Sequence, residues 1–315
     1  MEIIFFGTPD FAVLPLQALL DSGHDVIAVV TQPDRQSGRG RRMKSCPVKV
    51  EAQKAGLRTL QPQKVRDPRF IDELKSLHPA VIVVVAYGQI LPSEIIHLPG
   101  YGCVNIHASL LPKYRGAAPI NRAIINGEEK TGITTMLMDE GMDTGPVLLQ
   151  EETDITPEDT AGSLSRRLSK IGADLILPTL QGLEDGSLKP EPQAGEASYA
   201  PLLKKSDGLI QWSKSAEELS DFVRGMNPWP GAYGFLEGER FKILKAVPVC
   251  PPEKNSSGEV AGVIVKAAGN ELVIGTGKGR LSILEIQPAG KPVMPVKAFL
   301  QGRRLREGMR FDIGE

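Results

Sequence analysis

The chain has 315 residues, 41% hydrophobic and 24% charged, which is long enough for two domains with at least one large core and is neither disordered nor fibrous in composition. Its 37 basic and 38 acidic residues nearly cancel, so global charge points to no nucleic-acid or membrane partner, and any such partner has to be read from local patches. Cys46, Cys103 and Cys250 are far apart and form no CxxC pair, which argues against a disulfide framework or a zinc site and fits a reducing cytosol.

The opening run MEIIFFGTPDF turns apolar at once and carries no targeting signature, and the longest apolar run, Ala80 to Tyr87, is far short of the roughly 18 to 20 residues that span a bilayer. A soluble cytoplasmic chain, monomeric and without a membrane partner, is expected. Ile3 to Phe6 reads as a buried strand, followed by a helix over Asp10 to Leu20 with Gly23 past its end. Val26 to Thr31, Val81 to Val85 and Val104 to Ile106 are further β-branched runs. Continuous apolar strands alternating with helices predict a doubly wound, Rossmann-like α/β domain with a parallel sheet covered on both faces.

Ala117 to Ile125 reads as a short helix, with strands near Gly132 to Met138 and Val147 to Glu151. Leu164, Leu168, Ile171 and Leu175 recur at helical spacing, and Pro178 predicts a kink or a break before Gly182. The chain then turns rich in Pro, Gly and charge, so a catalytic domain is placed at 1–189, a linker at 190–205 and a second domain at 206–315. That second domain holds a helical stretch, Ser215 to Arg224, and short strands at 233–236, 241–246, 259–265, 271–274 and 281–286. The spacing suggests a small β-barrel of the oligonucleotide-binding (OB) type.

Gly7 follows the first strand without GxGxxG spacing, and no GxxxxGK[ST] occurs, so dinucleotide and nucleoside-triphosphate enzymes lose ground. The informative stretch is Val104-Asn105-Ile106-His107-Ala108-Ser109-Leu110-Leu111-Pro112-Lys113-Tyr114-Arg115-Gly116, at the carboxyl end of a predicted central strand, where open α/β sheets place their ligand crevice. Asn105 and His107 are two apart on a strand and point to one face. An amide NH2 and an imidazolium there can both donate to a developing oxyanion. The loop Met138-Asp139-Glu140-Gly141-Met142-Asp143-Thr144-Gly145-Pro146 by itself reads as a turn. If Asp143 faces His107, it can orient the ring and draw a proton from an attacking ammonium.

The runs NIHASLLPKYRGAAPI and MDEGMDTGPVL together resemble the folate-dependent formyltransferases, and the resemblance covers nearly the whole chain through GTPDFA, TQPDR with GRG, VVAYGQILP, NPWPGA and QPAGK. It implies that Asn105, His107 and Asp143 are catalytic and that 10-formyltetrahydrofolate is the donor co-substrate. It further implies that the folate lies along Ala86, Tyr87, Gly88, Gln89, Ile90 and Leu91, bordered by Ser109, Leu110, Leu111 and Pro112. The resemblance is greatest to members that formylate the α-amino group of methionine on initiator tRNA. In those members the loop matching Asp34 to Lys44 enters the acceptor-stem region, and the key arginine maps onto Arg39.

The loop carries Arg35, Arg39, Arg41, Arg42 and Lys44 with no acid among them, a pattern that suits an RNA backbone although charge runs are usually just solvated. The second domain, expected to bind tRNA, is only weakly basic, with 15 Lys and Arg against 13 Asp and Glu from Ser206 on. Lys291, Lys297, Arg303, Arg304, Arg306 and Arg310 would form one patch if the terminal segment packs as a helix. Trp212 and Trp229 are expected in the core. No metal is required, and the sparse His and Cys offer no site for one.

Overall fold

The computed structural model describes residues 1–37, 42–249 and 260–312. It divides into two compact units, one of Met1–Pro119, Lys130–Asp154 and Ser165–Ala200, the other of Ile120–Glu129, Ile155–Leu164 and Pro201–Glu315.

In chain order the elements that build the first unit begin with β1 (Glu2–Gly7), α1 (Val13–Leu20), β2 (Asp25–Val30), the short hairpin β3 (Arg35–Ser37) and β4 (Arg42–Lys44), α2 (Pro47–Lys54) and β5 (Thr59–Leu60). Then come α3 (Pro68–Ser76), β6 (Val81–Val85), α4 (Ser93–Ile96), β7 (Cys103–His107), α5 (Pro119–Ile125), which from Ile120 on counts with the second unit, β8 (Lys130–Leu137), β9 (Val147–Asp154) and α6 (Ala161–Glu184), which joins the first unit from Ser165. The seven-stranded sheet runs β5-β2-β1-β6-β7-β8-β9. Five strands are parallel, as their continuous apolar runs predict, but β8 and β9 are antiparallel and make the sheet mixed. Strand order reverses between β1 and β6, the kind of switch point at which the carboxyl ends of the strands open a crevice.

Alternation along each strand sorts the core into two layers. Ile4, Phe6, Ala28, Val30, Ile82, Val84 and Cys103 pack with Phe70, Ile71 and Leu74 of α3 and with Ile95 and Ile96 of α4. On the other face α6 presses close enough that a Cβ at Gly172 would fall 2.9 Å from the Ile106 side chain. Gly7 makes the first strand-to-helix turn possible, since a Cβ there would meet Phe5 at 2.6 Å and Ala12 at 2.9 Å. Pro178 does not break α6, which continues to Glu184. Pro178 lacks the N–H that would bond the Asp174 carbonyl, and beside it the Thr179 hydroxyl donates to the Leu175 carbonyl at 2.8 Å.

The second unit adds α7 (Ala216–Gly225), β10 (Ala232–Leu236), β11 (Glu239–Pro248), β12 (Ile264–Ala268), β13 (Glu271–Gly275), β14 (Arg280–Pro288), β15 (Met294–Pro295) and α8 (Val296–Gly302). α7 starts on a reciprocal cap in which Ser215 Oγ accepts from Glu218 N and Glu218 Oε2 accepts from Ser215 N. The strand expected at 259–265 is shifted to Ile264–Ala268, with Gly262 (φ 84) turning the chain just before it. The sheet, β10-β11-β14-β13-β12, is open in its ladder order. Its two edges are joined through the terminal segment, where Arg310 bridges Val263 and Phe311 bridges Leu236. Trp212 is fully buried against Phe311, whereas Trp229 is half exposed and not a core residue.

The terminal basic residues do not share one helix. α8 stops at Gly302, and Lys297, Arg303, Arg304 and Arg306 line a cavity of about 670 Å³, with Arg303 paired to Glu239. Arg310 instead donates to the Ala261 carbonyl.

Candidate active site

β7 lies between β6 and β8, and its last residue is His107. Asn105 and His107 share the face of Cys103, whose thiol is pushed up to about 12 by burial. The loop after β8 brings the carboxylate to them. Asp139 Oδ1 accepts from Gly141 N at 3.0 Å and from the Thr144 hydroxyl at 2.7 Å, an Asx turn that folds the loop back on itself. Two glycines are demanded by contact: a Cβ at Gly141 would fall 1.9 Å from Thr144 Oγ1, and one at Gly145 would fall 1.8 Å from the Leu137 carbonyl oxygen. Asp143 takes up a left-handed backbone (φ 53) at the crest.

From there its carboxylate meets three partners. Oδ2 accepts from Gly116 N at 2.7 Å, and Oδ1 faces Asn105 Nδ2 at 3.4 Å. Oδ2 also stands 3.6 Å from His107 Nδ1. The contact to Gly116 is a full hydrogen bond, while the other two are long and leave donor and acceptor capacity unspent. Gly116 (φ 114) is forced as well, because a Cβ would fall 2.8 Å from the Ala200 carbonyl oxygen. His107 is buried, and its Nε2 donates to the Tyr114 carbonyl at 3.0 Å. Two side-chain donors and one carboxylate thus converge at a strand end, a set able to hold a developing oxyanion and accept a proton.

The residues expected along the folate fall on two loops. Ala86 (φ 46) and Gly88 (φ 89) are left-handed and exposed, so their main-chain groups face outward, and Ile90 is 72% exposed. Tyr87 and Leu91 are core, with the Tyr87 ring edge-on to Phe6 at 5.0 Å and its hydroxyl buried without a partner. Gln89 Oε1 accepts from Val65 N. Ser109 and Leu111 are buried, Leu110 and Pro112 partly so, and the Ser109 hydroxyl is committed to the Lys113 carbonyl at 2.6 Å. An outward main-chain rim beside an exposed aliphatic side chain fits a flat, hydrogen-bonding heterocycle such as a pterin.

Of the basic loop, Arg35 and Lys44 are exposed and pair across the hairpin, and Arg42 sits in β4 opposite Ser37. Arg39 and Arg41 lie outside the described residues. The hairpin's root is clasped by Asp34, which takes Lys49 Nζ at 2.7 Å and Gln61 Nε2 at 3.1 Å. Thr8 ties that root to the 86–91 loop: its hydroxyl donates to the Tyr87 carbonyl at 3.0 Å and accepts from Gln32 N at 3.3 Å.

Sequence reasoning missed the segment that bonds both the Asp143 loop and the Tyr114–Gly116 loop. Residues 190–200 belong to the first unit and bond across it: Glu191 bridges Val147, Gln193 bonds the Asp143 loop, Ser198 Oγ accepts from Tyr114 N, and Tyr199 bridges Arg115, whose N–H donates to the Ser198 carbonyl and whose carbonyl accepts from Ala200 N. A glutamine among prolines carries no signal of such a role. Among the described residues, no group of three or more His, Cys, Asp or Glu could hold a metal ion, and no helix is long and apolar enough to cross a membrane.

Comparison with known proteins bears on this arrangement. Residues 1–180 match the family model described as formyl transferase, and residues 202–304 match that of the formyl transferase C-terminal domain. The methionyl-tRNA formyltransferase of Thermodesulfovibrio yellowstonii is 52% identical over 307 residues, covering 98% of this chain and 97% of that one. Among solved structures, the sugar 3N-formyl transferase WlaRD, in the presence of dTDP and 5-N-formyl-THF, superposes with a TM-score of 0.67 at 20% identity over 93% of this chain and 99% of that one. The methionyl-tRNA formyltransferase from Clostridium thermocellum gives 0.58 at 21% identity over 80% and 95%. The two structural matches speak for the fold, and the family models for the chemistry class.

Proposed function

The chain belongs to the formyl transferase family, and from that premise we propose that it moves the formyl group of 10-formyltetrahydrofolate onto the α-amino group of methionyl initiator tRNA. The observation that carries the reading is the convergence of Asn105, His107 and Asp143 at the carboxyl end of β7. Bound folate supplies an electrophilic formyl carbon. The free amine attacks that carbon, a new C–N bond forms and the bond to the folate nitrogen breaks. The proton lost by the amine goes to Asp143, and the Asp143 carboxyl returns it, directly or through water, to the departing folate nitrogen.

Asn105 Nδ2 keeps one N–H beyond its loose contact with Asp143 and offers it to the formyl oxygen as negative charge gathers there. His107 is held by Tyr114 with Nδ1 turned to the same place, so its doubly protonated form presents a second donor. The rim at Ala86 and Gly88, the exposed Ile90 and the neighbouring Ser109–Pro112 turn would seat the pterin, Gln89 bracing the rim through Val65. Residues 1–189 act as the catalytic domain, and 206–315 as a tRNA-binding domain reached through 190–205. The acceptor is assigned on the close relatives and on the basic hairpin, with Arg35, Arg39, Arg41, Arg42 and Lys44 contacting the RNA backbone.

The test is formyl transfer from 10-formyltetrahydrofolate to charged initiator tRNA, run beside an amino sugar nucleotide as competing acceptor. Formyl-methionyl-tRNA is the expected product. Turnover of the sugar alone, or of neither acceptor, would overturn the reading.

A further inference from the structure

Gln193 sits in the proline-rich stretch that the sequence presents as a linker, yet its side chain is fully engaged. Nε2 donates to the Asp143 carbonyl and to the Gly145 carbonyl, both at 2.8 Å. Oε1 accepts from Arg115 Nε at 3.1 Å and from Nη2 at 2.7 Å. Two donors and two lone pairs are the whole capacity of an amide, and all four are used. The Nε2 bonds hold the main chain on both sides of Thr144. The bonds also join the two loops that carry the site, one bearing Asp143 and the other running from Tyr114 to Gly116.

We infer that Gln193 is a positioning residue for formyl transfer: its amide holds Asp143 in the left-handed conformation in which the carboxylate reaches Gly116 N, Asn105 and His107. The inference rests on the formyl-transfer reading for its kinetic arm. A non-glycine residue at φ 53 relaxes to a right-handed backbone unless its surroundings over-determine it. Three features do so here: the Asx turn at Asp139 on one side, the Gln193 amide on the other, and the bond to Gly116 at the tip. Loss of the amide leaves two carbonyls unpaired and frees Arg115, so the carboxylate drifts from its partners. Displacement of a catalytic group by about 1 Å is worth up to about a hundredfold in turnover. Glu191 anchors the same strand of chain to Val147 at the start of β9, so Gln193 is delivered to the loop at fixed register.

The test is a double-mutant cycle read alongside amide exchange. Gln193→Ala is expected to lower kcat about tenfold to a hundredfold, with KM for folate and for tRNA within about threefold. In an Asp143→Asn background the same change is expected to cost less than about threefold, because its effect passes through the carboxylate. A full and additive loss in that background overturns the inference, as a general structural role would give it. Gln193→Glu keeps the size and the acceptor for Arg115 but removes the donors and sets an acceptor against two carbonyls, and is expected to lose at least as much kcat as Gln193→Ala, so a parent-like kcat in it overturns the inference. Independently of any activity, the Gly116 amide is protected by Asp143 and should exchange faster in Gln193→Ala, measured by mass spectrometry. Unchanged protection overturns the inference even if formyl transfer to tRNA is absent. Absent transfer with faster exchange sinks only the functional reading.

Discussion

His107 Nε2 donates to the Tyr114 carbonyl at 3.0 Å, and this bond turns Nδ1 toward Asp143 Oδ2, 3.6 Å away. A carbonyl only accepts, so this bond requires the proton on Nε2 and leaves Nδ1 as the ring nitrogen on the side of Asp143. Tyr114 can present its carbonyl this way because it is itself left-handed (φ 60) and because Ser198 Oγ takes its N–H. The linker-like segment therefore reaches His107 as well as Asp143.

Asn105→Ala and Asp143→Asn each remove one member of the converging set without emptying the core. Each is expected to lower kcat by about a hundredfold to a thousandfold, the usual cost of a lost oxyanion donor or its partner. Affinity for tRNA should stay within about threefold, as steady-state kinetics and filter binding will show. Retained kcat in either variant removes that residue from the mechanism.

Lys44 stands exposed opposite Arg35 at the open end of the described hairpin. If the hairpin meets a phosphate backbone, Lys44→Ala weakens tRNA binding and lowers the slope of log affinity against log salt by about one. An unchanged slope would remove Lys44 from the RNA contact.

The Asp34 pKa is lowered from the ordinary carboxylate value, first by the hydrogen bond from Lys49 and then by that from Gln61. A carboxyl depressed in the folded state stabilises the fold above its unfolded value, and loses that contribution as pH falls through the folded one. Asp34→Asn should therefore be less stable than the parent at pH 7, and the gap should close on acidification below the carboxylate range. Urea unfolding at several pH values checks this, and a gap that widens toward acid contradicts it.

Ser215→Ala deletes the side chain that caps Glu218 N at the start of α7. The expected cost is about 1 kcal/mol, seen as a lower urea midpoint with an unchanged m-value.

Cys103 is buried, and its thiol is pushed up to about 12, whereas Cys46 is partly exposed. Alkylation at pH 8 followed by peptide mapping should label Cys46 in the folded chain and Cys103 only after denaturation, because the thiolate is the reactive form. Labelling of Cys103 at a native rate would place it nearer the surface than the fold does.

The sequence by itself determined the parallel core of the first unit, since VIVVV at 81–85 and the runs beside it are buried on both faces and admit little else. It also determined that Asn105 and His107 share a face, because strand parity is local. It could not decide the direction of β8 and β9, whose residues read the same in either orientation, nor the passage of α6 through Pro178, since a proline in a helical pattern breaks or merely interrupts the ladder according to how the helix is packed. Trp229 escaped it for a related reason: a tryptophan between two prolines is placed by the path of its backbone, not by its hydrophobicity. Only the tertiary structure brought Asp143 to His107 across a glycine-dependent turn, and only it turned a proline-rich linker into a clamp on the Asp143 loop and on the Tyr114–Gly116 loop. Those contacts join residues up to 84 positions apart, and hydrogen bonds of that range leave no periodicity in the chain to be read.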